Sequence, residues 1–182
     1  MVFPLSAIVV MGVAGCGKSS VGDAISHRSG GRLIEGDVFH PAANIEKMSA
    51  GIPLNDDDRA GWLTRLGEEM SACVASGERA ILTCSALKQA YRDKLRAAVP
   101  NLGFVFLELT REEAADRVSH RPDHFMPASL IDSQFATLEN PTGEVLTLPL
   151  DATLPIATLA EKVDAWLHNH DHDQDASLPQ SA

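Results

Sequence analysis

Gly12-Val13-Ala14-Gly15-Cys16-Gly17-Lys18-Ser19, GVAGCGKS, follows the apolar run Ala7-Ile8-Val9-Val10-Met11 and precedes a helix-patterned stretch, Ser20–Arg28. The octet fits G-x-x-x-x-G-K-[ST] with Gly12, Gly17, Lys18 and Ser19 in the defining places. Glycines let a backbone wrap closely around an oxyanion, so that successive N–H groups point inward at phosphate. A helix opening at the end of the loop adds its unpaired N–H groups and positive dipole end. In such a loop Lys18 reaches the β- and γ-phosphates of a nucleotide and Ser19 offers its hydroxyl to Mg²⁺. The competing reading is a glycine-rich turn that merely joins a strand to a helix. The buried-strand pattern before the loop and the helix after it favour phosphate binding.

Outward from the loop, apolar runs alternate with helical patterns. Strands are expected at Leu5–Met11, Arg32–Glu35, Arg79–Cys84, Phe104–Leu109 and Val145–Leu150. Helices are expected at Ser20–Arg28, from Pro41 to about Ala50, Arg59–Ser76, Leu87–Val99, Arg111–Ser119, Ala128–Leu138 and along Ile156, Leu159, Val163, Trp166 and Leu167. Arg121–Pro127 reads as a mobile segment, the core of a small lid over about residues 120–128. Strict strand–helix alternation predicts an α/β fold with a five-stranded parallel sheet and helices on both faces. One domain is expected over residues 1–168. Residues 169–182, rich in His and Asp and without a period, read as a disordered tail, and His168, His170 and His172 as solvated rather than metal-binding.

Composition narrows the function. The 182 residues are 45% apolar and 22% charged, ordinary for one globular domain. A net charge of −10 argues against a nucleic-acid or anionic-membrane surface, so an anionic substrate needs locally clustered Lys and Arg. No run approaches the ~20 apolar residues of a membrane span, and the first apolar stretch lacks the basic lead-in of a secretory signal. Cys16, Cys73 and Cys84 form neither an even framework nor a metal-type cluster, and Cys16 acts in the loop simply as a small residue. A cytoplasmic location is expected.

In parallel α/β sheets ligands bind beyond the carboxyl ends of the strands. The second strand ends in Gly36-Asp37, and a carboxylate there can hold a Mg²⁺ water or accept a proton from an attacking hydroxyl. A turn aspartate is the alternative. The third strand ends Thr83-Cys84-Ser85, without the aspartate a motor or switch ATPase would carry there, which shifts the acidic role to Asp37. Lys88 and Arg92 stand four apart and read equally as an anion site or a solvated basic face. Arg117 and Arg121 flank the lid and read equally as a clamp on a transferring phosphoryl group or as partners of nearby acids.

The stretch GDVFHPAANIEKMSAGIPLNDDDRAGWL, Gly36 to Leu63, resembles the signature of the gluconokinases, small P-loop sugar-acid kinases. The similarity continues in CSALKQAYRDKLR, Cys84 to Arg96, in RPDHFMPASLIDSQFATLENP, Arg121 to Pro141, and in the P-loop. The resemblance implies ATP-dependent phosphorylation of D-gluconate to 6-phosphogluconate with Mg²⁺, in a P-loop kinase fold related to nucleoside-monophosphate and shikimate kinases. It implies a nucleotide site of Gly12, Gly15, Cys16, Gly17, Lys18, Ser19 and Ser20, with Arg117 and Arg121 in the lid and Arg121 acting on catalysis. Asp37 takes the base position, with His40, Lys47 and Arg59 towards the sugar acid and Ser85, Lys88 and Arg92 on its other side. Magnesium falls to Ser19 and to Asp37, directly or through water. Relatives of this kind are commonly homodimers. One departure is visible: Ala60-Gly61-Trp62 stands where the family often has proline before the tryptophan, which loosens the expected first turn of that helix.

Two other readings remain to be weighed. A kinase for shikimate or a nucleoside monophosphate needs a different pocket, and the two tryptophans lie on amphipathic stripes rather than on a base-stacking platform. A regulatory module that binds ATP without turnover needs neither the base at Asp37 nor lid arginines.

Overall fold

The structure is a computed structural model that describes residues 5–120 and 128–175. Five parallel strands form one sheet in the order β2-β3-β1-β4-β5. They are β1 Ala7–Met11, β2 Arg32–Glu35, β3 Ala80–Thr83, β4 Leu102–Glu108 and β5 Thr147–Asp151. The helices are α1 Lys18–Ser29, α2 Ala42–Ser49, α3 Asp56–Ala75, α4 Gln89–Ala98, α5 Arg111–Ser119, α6 Ala128–Thr137 and α7 Ile156–Asp175.

The continuous apolar character of β1 follows from its central place. Ala7, Val9 and Met11 pack with Leu66, Met70, Leu95 and Phe104 on the α3 and α4 side. Ile8 and Val10 pack with Val21, Ile25, Leu159 and Val163 on the α1 and α7 side. All five β1 residues are buried, each large side chain contributing about 1.5–3 kcal/mol. That burial anchors the turn after Met11, where Gly12 has φ +146° and a Cβ would lie 2.7 Å from Cys16 Sγ and 2.9 Å from the Leu107 carbonyl. From β1 the chain passes to β3 and β2 on one side and to β4 and β5 on the other, so the P-loop occupies the topological switch point.

Most boundaries differ from expectation by one to three residues, and three of the differences bear on the site or the chain's end. α3 starts at Asp56, upstream of Arg59, because Asn55 and Asp58 form a reciprocal capping box. The Ala60-Gly61 departure therefore sits inside the helix and not at its start. α4 starts at Gln89, with Lys88 as an extended N-cap at φ −102° and ψ 147°. α7 runs on to Asp175, so its helix takes in His168, His170 and His172, where a disordered tail was expected. The buried Arg79 accounts for part of this extension: its guanidinium donates to the Leu5 carbonyl at 2.9 Å and to Asp171 at 3.1 Å. Arg121 and the segment expected to be the mobile lid lie outside the described residues.

Candidate active site

Gly17, in the left-handed region at φ 92° and ψ 24°, turns the chain from the P-loop into α1. Lys18 is folded back over the loop, its Nζ donating to the Gly12 and Val13 carbonyls at 3.0 and 3.1 Å. Cys16 faces the core instead of the loop's mouth and is 1% exposed. Arg117, from α5, donates to the Gly15 carbonyl at 3.2 Å and to the Ala152 carbonyl at 2.8 Å, so its guanidinium braces the outer side of the loop.

Ser19 Oγ donates to Glu35 Oε2 at 2.9 Å, and Thr83 Oγ1 donates to the same oxygen at 2.7 Å. Glu35 thus faces the hydroxyl proposed for metal, although sequence reasoning assigned the strand's acidic role to Asp37 alone. The signal was present: Glu35 closes β2 two residues before Asp37, and both follow the strand to the sheet's carboxyl edge. Gly36 lies between them under a tight restraint. Its N–H donates to Thr83 Oγ1 at 3.3 Å, its carbonyl accepts from Trp62 Nε1 at 2.8 Å, and a Cβ would collide with the Thr83 carbonyl.

One cleft is lined by Gly15, Gly17, Lys18, Ser19 and Ser20 and also by Asp37, His40, Arg59 and Ser85. Asp37 sits in a 3-10 turn, Gly36–Phe39, with its carboxylate 85% exposed. His40 is buried and stacks on Trp62, ring centroids 3.9 Å apart. Burial pushes its imidazole below the ordinary value, Asp37 pulls it back up, and Arg59 adds to the depression. Arg59 Nη1 donates to Tyr91 Oη at 3.1 Å, and that hydroxyl in turn bonds Asp56. Met48, Ile52, Pro53, Leu54, Trp62 and Leu130 supply the apolar wall.

Three expected substrate residues do not line this cleft. Lys47 Nζ donates to both carboxylate oxygens of Asp58 at 2.9 Å, and this bond holds the Asp58 carboxyl below the usual range. Lys88 Nζ donates to Asp56 at 2.9 Å. Arg92 is fully buried: it pairs with Glu144 at 2.7 Å and donates to the Ala86 and Glu139 carbonyls at 2.7 and 2.9 Å. Its position as a substrate cation is corrected to that of a buried strut, tying the Ser85–Leu87 turn to the chain after α6. Lys88, as N-cap, stands outside helical geometry, so four-residue spacing does not put it on a face with Arg92.

Sequence reasoning placed α6 as a helix but missed its part in the cleft. Leu130, Ser133, Gln134 and Thr137 line the cleft, and Gln134 Oε1 accepts from the Ala14 N–H of the P-loop at 2.6 Å. Helical periodicity places these residues on one helix, but nothing in it shows which neighbour they face. Among the described residues no group of three or more His, Cys, Asp or Glu side chains is disposed to hold a metal ion. No helix among the described residues is long and apolar enough to cross a membrane.

The family described as an AAA domain matches residues 8–141. The chain is 49% identical over 134 residues to a gluconokinase of Gluconobacter oxydans (strain 621H), covering 74% of this chain and 75% of that protein. Among solved structures, a gluconokinase from Sinorhizobium meliloti 1021 superposes with a TM-score of 0.85 at 48% identity, covering 96% of this chain and 98% of the other. A sugar kinase from Janibacter sp. HTCC2649, in its unliganded structure, gives a TM-score of 0.85 at 42% identity over 89% and 94% of the two chains.

Proposed function

The chain belongs to the gluconokinase family, and we propose that its cleft transfers the γ-phosphoryl group of ATP to the terminal hydroxyl of D-gluconate, giving 6-phospho-D-gluconate and ADP. The observation that carries the site assignment is the single cleft shared by the phosphate loop and by Asp37, His40, Arg59 and Ser85. The nucleotide fits the glycine loop, where Gly15 and Gly17 carry no side chain to obstruct phosphate. Lys18 exchanges its loop carbonyls for the β- and γ-phosphates and balances charge as the bond to ADP breaks. Ser19 and Glu35, with Asp37 through water, would hold Mg²⁺, which when bound would neutralise charge on the β- and γ-phosphates.

Asp37 accepts the proton of the attacking hydroxyl, and the hydroxyl oxygen forms the new bond to phosphorus as ADP leaves. Arg59 takes the sugar-acid carboxylate: apart from Lys18, engaged with phosphate, it is the cation among the described cleft residues. Its anchoring on Tyr91 leaves a fixed donor fork of the kind that suits a carboxylate. His40, Ser85 and the α6 row supply polar groups for the polyol, while Arg121 belongs to the proposed lid and acts on the transferring group. A homodimer in the cytoplasm is the proposed setting, which sedimentation of the full chain tests for assembly.

Asp37→Asn tests the catalytic role. It keeps the size of the side chain and removes the proton acceptor, so kcat should fall by at least about 100-fold with little change in the KM for ATP. Recovery of kcat at high Mg²⁺ would instead assign Asp37 to metal, and unchanged kcat would reject both roles.

A further inference from the structure

Behind Asp37 a buried polar chain runs through His40 to Asn44, a residue to which the mechanism above gives no part. Asn44, on α2, is 3% exposed. Its Nδ2 donates to the Asp58 carbonyl at 2.9 Å and lies 3.2 Å from His40 Nδ1. The first contact fixes which end of the amide points inward, because a carbonyl only accepts. The second hydrogen on Nδ2 then meets His40 Nδ1, which must present a lone pair. A neutral imidazole carries one ring proton, so that proton is on Nε2. Nε2 lies 3.8 Å from Asp37 Oδ1. The ring is held in this orientation by its stack on Trp62, and Trp62 is itself bonded to Gly36, the residue before Asp37. Burial favours the uncharged ring that this network requires.

We infer that Asn44 is a positioning residue for phosphoryl transfer: its donation to His40 Nδ1 holds the imidazole as the Nε2–H tautomer, which faces Asp37 Oδ1 and leaves the second carboxylate oxygen to the substrate hydroxyl. The inference rests on Asp37 being the proton acceptor. Among the described residues no side-chain hydrogen bond holds the Asp37 carboxylate, so its direction depends on what faces it. At 3.8 Å the Nε2–H contact is longer than a hydrogen bond, and such contacts shorten when the reacting complex assembles.

Asn44→Asp separates this role from a simple tie between α2 and α3. An aspartate at that position accepts and does not donate, so at a pH where the ring carries one proton it draws that proton to Nδ1 and turns the Nε2 lone pair towards Asp37. Two-bond ¹H–¹⁵N spectra of the full chain, without substrate, read the tautomer, and steady-state kinetics read its consequence. The wild-type ring should be Nε2–H. In Asn44→Asp it should be Nδ1–H, with kcat reduced about 10- to 100-fold, the scale of a small misplacement of a reacting group, and the KM for ATP unchanged. A wild-type ring protonated on Nδ1, or a flipped ring with wild-type kcat, overturns the inference. So does a lower melting temperature with tautomer and kcat intact, the signature of a structural tie alone.

Should Asn44→Asp fail to fold, His40→Gln and His40→Phe make the same comparison. Glutamine keeps an acceptor for Asn44 and a donor for Asp37, whereas phenylalanine keeps only the stack. The kcat of His40→Gln should exceed that of His40→Phe by at least about tenfold; equal values overturn the inference. Wild-type protein inactive on gluconate would dismiss the reading of the site as well. Wild-type activity with a flipped, equally fast Asn44→Asp dismisses this inference alone.

Discussion

At the scale of single residues, charge placement separates the groups that act on ligands from those that hold the fold. Glu35 Oε2 accepts from both Ser19 and Thr83, so Glu35→Gln removes a negative charge beside the metal hydroxyl without removing bulk. The Mg²⁺ needed for half-maximal rate should rise about 10- to 100-fold, as for other outer-shell partners; an unchanged Mg²⁺ titration would exclude Glu35 from the metal. Arg92 makes the opposite case. With its guanidinium fully buried against Glu144, Arg92→Met strands a half-enclosed carboxylate and should cost about 3–5 kcal/mol in urea unfolding. A loss below about 1 kcal/mol would fit only an exposed pair. His40 sets a pH dependence. Its folded-state value lies below its unfolded one, so the unfolded chain takes up the proton first as pH falls. Stability is complete above the ordinary value of 6.5 and declines below it. The melting temperature should therefore drop between about pH 7.5 and about pH 5.5, and drop less in His40→Phe, where this site binds no proton. Equal slopes would contradict this.

At the scale of elements, strands and the P-loop were legible because their signals are local. β2 has the bounds that its β-branched and apolar pattern gave, and the Gly12–Ser19 octet named its own turn. What escaped depends on partners distant in sequence. The carboxylates facing Lys47 and Lys88 come from the N-terminal turn of α3, and the one facing Arg92 comes from beyond α6. Nothing in the spacing of those cations indicates that each is already matched. The His- and Asp-rich end of α7 likewise lacks an apolar period, yet Leu167 packs in the core and Asp171 meets the buried Arg79. Truncation after His168 removes that carboxylate and should lower the melting temperature by at least about 2–4 °C, the equivalent of roughly 1 kcal/mol in a chain of this size. Truncation after Asp175 leaves the contacts described here in place and should change it little. Equal melting temperatures for the two truncations would contradict the docking of the helix end.

At the scale of the whole molecule, a chain of net charge −10 brings Lys18 and Arg59 to one cleft at one edge of one sheet. The switch point between β1 and its two neighbours sets the phosphate loop there, and the turn after β2 brings Asp37 and His40 to the same cleft. α3 then adds Arg59. In the proposed mechanism Lys18 answers the nucleotide and Arg59 the sugar acid, which leaves a neutral sugar with no charge to offer the second cation. A buried or half-buried donor left without its acceptor is penalised, so loss of the substrate carboxylate should weigh heavily. The most direct measurement is kcat/KM for D-gluconate against D-glucose, by coupled ADP release at saturating ATP and Mg²⁺. The expected result is a preference for gluconate of at least about 100-fold, reduced by more than tenfold in Arg59→Met, roughly the loss of one charged hydrogen bond. Equal kcat/KM for gluconate and glucose would contradict the assignment of a sugar-acid kinase.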